Sequence, residues 1–278
     1  MPGWPAPERG LTDWLATCRA AVEDVRRVLA ELPEGADRAR VLGRGVGGDD
    51  TTAIDDAAER AVVARLDATS AEFTLVSEEL GIRPPRGGTS ASVVVVDPID
   101  GSINAKRGIP FFSLSIAVAD GPAMGDVTFG YVYDFGSGEE WTARRGEGAL
   151  LHGEPLRTVE PRERIELLSL EATRTDLVAA YAPAFAPLAR RVRVMGSLAL
   201  SLCHLAAGRV DAVCSLKAAR SVDVAAGQLL VTESGLVAGL PDGGPLAEAP
   251  LDLEGRSRIV AAASQEHYDL VVRALRQL

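Results

Sequence analysis

Two carboxylates three residues apart, Asp97 and Asp100, follow four consecutive valines in the run SVVVVDPIDGSINA at residues 92–105. The β-branched run at 93–96 is too short for a buried helix, which predicts a strand covered on both faces. Pro98 fixes its own φ and donates no hydrogen bond, so the strand is expected to stop there and turn. Gly101 then lets a backbone N–H approach a ligand with no Cβ in the way, and Ser102 adds a hydroxyl. Hard oxygen ligands beside an open backbone suit a divalent cation that holds a phosphate.

Other chemistries make demands on the same residues. Asp, Pro and Gly are turn formers, so an ordinary acidic turn after a buried strand also accounts for DPIDG. A calcium loop of the EF-hand kind needs an oxygen side chain at its third position and Glu at its twelfth, where this sequence has Ile99 and Gly108. A covalent aspartyl-phosphate needs a nucleophilic carboxylate, and Asp97 has the right group. Its spacing from Asp100 is unlike the two-apart Asp pair of haloacid dehalogenase-type phosphatases.

The elements that must position these groups, and further acids, flank them. A short strand at 73–76 runs into Ser77, Glu78 and Glu79. It is joined to the valine strand by a Pro- and Gly-rich connection at 82–89, an arrangement in which neighbouring strands could place both acidic ends at one sheet edge. Asp55 and Asp56 fall in the first turn of a helix beginning near Ile54, where the helix dipole favours carboxylates. Ahead of it, GRGVGGDDTT at 43–52 predicts a surface loop. Asp223 falls in the first turn of a helix over 221–234, with Gly235 just past its end.

Apolar residues at three- and four-residue spacing predict a first helix over 12–32, closed by Pro33. Period-two patterns at 112–118 and 127–133, followed by a strand at 139–144, predict an antiparallel meander with one face buried. Gly146, Gly148 and Gly153 predict a loop that divides the chain into an N-terminal half, 1–150, and a C-terminal half, 151–278. The second half alternates: strand 165–170, helix 175–189, strand 192–195, a helix from Ser197 to Ala207 ended by Gly208, strand 210–215, strand 258–263 and a last helix at 264–278.

Composition narrows the class. With 278 residues, 47% hydrophobic and 24% charged, the chain has ample material for a buried core. A net charge of -10 repels nucleic acid and anionic membrane, so neither is an expected partner. No apolar run approaches the roughly 20 residues of a membrane span and residues 1–10 lack a secretory core, which predicts a cytoplasmic protein. Cys18, Cys203 and Cys214 are odd in number, far apart and set among apolar neighbours, as buried thiols are. His152, His204 and His267 are equally scattered, so a bound metal would be a hard one held by carboxylates.

Taken together, Glu78, the DPIDGS of 97–102, the VDVAAG of 222–227, the GSLALSLCHLAAGRVDAV of 196–213 and the RGEGALLHG loop resemble the inositol monophosphatase family of metal-dependent, lithium-sensitive phosphatases. The N-terminal GGDDTTAID is most similar to the archaeal and bacterial branch that acts on both inositol phosphates and fructose 1,6-bisphosphate. The resemblance implies an α+β fold, a layered α/β/α/β/α sandwich, commonly as a homodimer. It implies that Glu78, Asp97 and the Ile99 carbonyl hold one Mg²⁺, and that Asp97, Asp100 and Asp223 hold a second. Backbone N–H groups of Gly101 and Ser102 would contact the phosphate. Asp55 would pair with Ser102 to deprotonate the attacking water, and two or three cations would stabilise entering and leaving oxygens.

Several positions depart from the family. Ser102 stands for the usual Thr and keeps the hydroxyl; Ala105 stands for Phe, and Val222 for Trp. Leu216 occupies the position, seven before Asp223, of an acid found in inositol-selective members, with Lys217 and Arg220 nearby. Arg and Lys suit a second anionic group, which favours a bisphosphate such as fructose 1,6-bisphosphate over inositol 1-phosphate. A 3′-phosphoadenosine 5′-phosphate phosphatase is the enzymatic alternative. A catalytically silent binding protein is the alternative from another class, although all five acids are present.

Overall fold

The computed structural model describes residues 12–32, 35, 37–44, 50–157, 159–171 and 174–277. Helix α1 (Trp14–Glu31) starts on Asp13, whose carboxylate accepts from Ala16 N; Pro33, expected to close it, lies outside the described residues. The surface loop expected at 43–52 is bounded by a small antiparallel pair, β1 (Val41–Arg44) and β2 (Asp50–Thr52), and residues 45–49 lie outside the described residues. Helix α2 (Ala53–Asp67) follows, then β3 (Thr74–Ser77), β4 (Gly81–Arg83), β5 (Val93–Asp100), the short helix α3 (Ser102–Arg107), β6 (Ser113–Ala119), β7 (Val127–Asp134), β8 (Glu140–Arg144), β9 (Gly148–Leu151) and β10 (Glu154–Pro155). The expected glycine loop at 146–153 thus contains strand β9, with Gly146 and Gly153 at positive φ in the turns on either side.

The second part of the chain gives β11 (Ile165–Glu171), α4 (Thr175–Phe185), β12 (Ala189–Arg193), α5 (Leu198–Ala206), β13 (Ala212–Ser215), α6 (Ser221–Glu233), β14 (Val237–Gly239), β15 (Val260–Ala262) and α7 (Gln265–Leu275). Helix α4 ends short of the expected 189, and strand β12 begins there instead. An eight-stranded sheet runs β10-β9-β8-β7-β6-β5-β3-β4, and a five-stranded sheet runs β12-β11-β13-β15-β14. In the first, only the β3–β5 pair is parallel.

Five layers result. Helices α1 and α2 pack Val22, Val25, Ile54 and Val62 against Val94, Val96, Leu114 and Tyr131 on one face of the large sheet. Helices α5 and α6 fill the space between the two sheets, touching Val93, Val95 and Ala117 on one side and Val213 and Ala261 on the other. Helices α4 and α7 close the far face of the small sheet around Phe185, Cys214 and Val271. This is the α/β/α/β/α sandwich, and the four valines split between its first two cores as a doubly covered strand requires.

Both faces of the meander are buried, where the period-two pattern predicted one. Ser113, Ser115 and Ala117, the small set, are 0–2% exposed because α6 lies across them. Small residues let the helix come close: a Cβ on Gly130 of β7 would lie 2.9 Å from the Ala226 carbonyl of α6. Gly130→Ala therefore lowers unfolding stability by about 1–3 kcal/mol, the usual range for overpacking, read as a shift of the urea midpoint. A variant as stable as the parent would mean that α6 is free to move off the sheet.

Candidate active site

The β3–β5 pair is parallel in the register Ser77↔Val96, so both strands end at the same place. Glu78 leaves the end of one and Asp97 continues the other. Strand β5 does not stop at Pro98 as expected; it passes through an irregularity, pairing Asp97↔Ser115 and then Asp100↔Ser113. Three steps along β5 match two along β6, a one-residue bulge, which is where a sheet tolerates proline. Side chains alternate, so an unbulged strand would turn Asp97 and Asp100 to opposite faces. The extra residue puts both opposite Ser113 and Ser115, which share one face, the face toward α5 and α6.

Gly101 makes the turn out of the strand at φ +96°, and a Cβ there would lie 3.0 Å from Gly196 O and 3.1 Å from Phe111 O. Glycine is required by conformation and by space. Ser102 opens α3, and its hydroxyl donates to Ile99 O at 3.0 Å. Asp97 is 2% exposed and accepts from Ile99 N at 3.0 Å. Asp100 caps α5 from outside the helix, accepting from Ser197 Oγ at 2.5 Å and Ala199 N at 2.7 Å. Asp223 caps α6, accepting from Arg220 N at 2.9 Å.

Asp55 sits at the third position of α2 and accepts from Thr52 N at 3.2 Å and Thr52 Oγ1 at 2.6 Å. Lys106 of α3 places Nζ 3.0 Å from the same Oδ2. The expected pairing of Asp55 with Ser102 is not made in this arrangement, because each takes nearer partners. Both nevertheless line one crevice with Glu78, Glu79, Asp97 and Ile99. The other Asp55 oxygen, Oδ1, is buried and has no hydrogen-bond partner among the described residues.

Arg220 and Lys217, read from sequence as one anion-binding pair, lie in different surroundings. Lys217 is exposed. The Arg220 side chain is 10% exposed and donates to Glu78 Oε1, with the same nitrogen 3.7 Å from Asp223 Oδ1. Sequence reasoning missed Lys106, and it missed Glu59, which is 3% exposed and accepts from Ser77 Oγ, Glu79 N and Leu80 N. Glu59 thereby fixes the turn that aims Glu78. Its position four residues after Asp55, on the same face of α2, was the available signal.

Burial pushes the carboxyls up. Glu78 rises to about 7, mainly through desolvation, with Arg220 pulling the other way. Asp100 rises to about 7 through desolvation, opposed by the Ser197 bond and reinforced by Asp223. Asp97 lies well above the carboxylate range through desolvation and the neighbouring Glu78, Asp100 and Asp223. Crowded buried carboxylates of this kind are what a cation site looks like in the absence of its charge. Among the described residues, no three acidic, His or Cys side chains are already converged as a metal cluster. The donors nonetheless fit Mg²⁺: all are hard oxygens, and the unpartnered Asp55 Oδ1 can only accept.

A family model of the inositol monophosphatase family matches residues 15–278. The chain is 31% identical over 271 residues to the fructose-1,6-bisphosphatase/inositol-1-monophosphatase of Methanothermobacter thermautotrophicus, covering 94% of this chain and 96% of that one. It is 34% identical over 193 residues to Nus factor SuhB of Pasteurella multocida, covering 67% and 70%. The crystal structure of an inositol monophosphatase–fructose 1,6-bisphosphatase gene product superposes with a TM-score of 0.82 at 26% identity, covering 95% of this chain and all (100%) of that one. The chain belongs to the inositol monophosphatase family, and with it to the phosphoric monoester hydrolases of that superfamily. No helix among the described residues is long and apolar enough to cross a membrane.

Glu171, outside the crevice, is also buried and raised to about 7 from 4.5, by desolvation against bonds from Ser201 and Gly196 N. The unfolded chain releases this proton near 4.5 and the folded one near 7, so its contribution to stability is full below 4.5 and declines as pH rises to 7. Glu171→Gln removes that slope, at most about 1.4 kcal/mol per pH unit. Melting midpoints in EDTA from pH 4.5 to 8 test this: the variant gains on the parent as pH rises, and a constant difference contradicts it.

Proposed function

We propose that this protein is a Mg²⁺-dependent phosphomonoesterase acting on a small sugar or polyol phosphate, fructose 1,6-bisphosphate ahead of inositol 1-phosphate, by direct attack of water with inversion at phosphorus. The observation that carries the reading is the crevice that Asp55, Glu78, Asp97, Ile99 and Ser102 line together, with a buried Asp55 oxygen that has no hydrogen-bond partner among the described residues. Glu78, Asp97 and Ile99 O would hold one Mg²⁺, and Asp97, Asp100 and Asp223 another. Bound there, the ions neutralise phosphoryl oxygens and lower the pKa of water.

The chain's own groups do the rest. Asp55 Oδ1 accepts the proton of the attacking water, while Thr52 and Lys106 hold its other oxygen still. Ser102 orients that water through its hydroxyl, and the N–H groups of Gly101 and Ser102 hold the phosphoryl oxygens at the start of α3. The preference for a bisphosphate follows from Leu216 in place of an acid and from the exposed Lys217. A homodimer fits the exposed Ile103, Ile109, Val194 and Met195, drawn together where Asn104 Nδ2 bonds Met195 O at 2.8 Å.

The similarity to a Nus factor supports a second reading, a binding or regulatory protein that keeps the fold. Phosphate release with Mg²⁺ from fructose 1,6-bisphosphate, inositol 1-phosphate, 3′-phosphoadenosine 5′-phosphate and NADP separates the two. The expected result is fastest turnover of the first. Asp97→Asn should lower that rate by about 10²-fold or more, beyond the 10–100-fold lost when a residue merely orienting a ligand is changed. No release from any substrate, with Asp97→Asn matching the parent, would establish the regulatory reading instead.

A further inference from the structure

Arg220 lies against two of the acids that the proposed reading gives to a cation. Its guanidinium, 10% exposed, bonds Glu78 and lies 3.7 Å from Asp223, and its charge also acts on Asp97. These carboxylates come from three elements and would repel one another if brought together without positive charge. A guanidinium is planar, always charged and able to span two carboxylates at once. Burial alone would lower its pKa, but Asp223, Glu78 and Asp97 more than offset that, so it keeps its proton.

An oxygen of Glu78 that accepts from a guanidinium is not equally open to a divalent cation, and two cations on the same carboxylates repel each other. We propose that Arg220 is the resident counter-cation of the metal site: it holds Glu78 and Asp223 in place in the metal-free protein and gives up these contacts when Mg²⁺ binds. The inference rests on the reading that Glu78, Asp97 and Asp223 hold the metal. Arg220 also borders a second cavity, with Ser221, Val224, Leu246 and Ser257, which gives its stem somewhere to retreat. Two consequences follow. The acids stay arranged without metal, and Mg²⁺ affinity is reduced by the ion pair that binding must break.

The test is calorimetric titration of Mg²⁺ and Mn²⁺ into the substrate-free protein, with melting midpoints in EDTA. Arg220→Met should lower the metal-free midpoint while tightening Mg²⁺ binding by about tenfold, the factor that 1.4 kcal/mol of relieved competition gives. A residue that only supported the ligands would weaken binding when removed. Arg220→Lys keeps the charge and loses the fork, so its affinity should fall between the two. It carries the test alone if Arg220→Met does not fold. Unchanged or weaker Mg²⁺ binding in the folded variants, beside a parent that binds Mg²⁺, overturns the role of Arg220 and leaves the metal site standing. A parent that takes up neither ion overturns both.

Discussion

The structure depends on tolerating several buried carboxylates at the end of two parallel strands. Each negative charge taken out of water is costly, and neighbours of like sign add to the cost. The fold meets this with donors fixed by secondary structure. Asp100 receives the N-terminal groups of α5, Asp223 those of α6, and Asp55 those of α2. Each helix is therefore both a packing element and a partial positive charge aimed at one carboxylate.

That arrangement explains why the middle layer matters to the chemistry. Helices α5 and α6 lie between the two sheets, and their starts face the bulged end of β5. Ser197 joins the layers directly, bonding Asp100 of the large sheet while capping α5. Glu171, at the end of β11 in the small sheet, holds Gly196 N one residue earlier. The site thus draws on both sheets, and close approach at Gly101 and Gly130 lets the backbone layers meet.

Much of this was legible in the chain itself. The valine run, the acids at its end and the spacing of Glu78 and Asp223 carry the site, and the burial of both valine faces follows from β-branching without polar interruption. What sequence did not show depends on geometry at the level of single residues. A proline in an acidic run normally signals a stop; here it marks a bulge, visible only in the β5–β6 register. The small residues on the second face of the meander resembled a solvent face because the helix that covers them arrives a hundred residues later. Arg220 looked like an anion-binding residue because its type says only that it is cationic, while its partners are set by the start of α6.

The distribution of positive charge within the crevice follows from these placements. Lys106 stands at one end, 3.0 Å from Asp55. Arg220 stands at the other, on Glu78 and near Asp223. Asp97 accepts the neutral N–H of Ile99. It is the acid on which Glu78, Asp100 and Asp223 all act to raise the pKa, and Arg220 answers them from a distance. Burial and three like-charged neighbours thus act together on Asp97. In the proposed ligand sets Asp97 is the shared acid, and the like charges around it are what a bound cation would relieve.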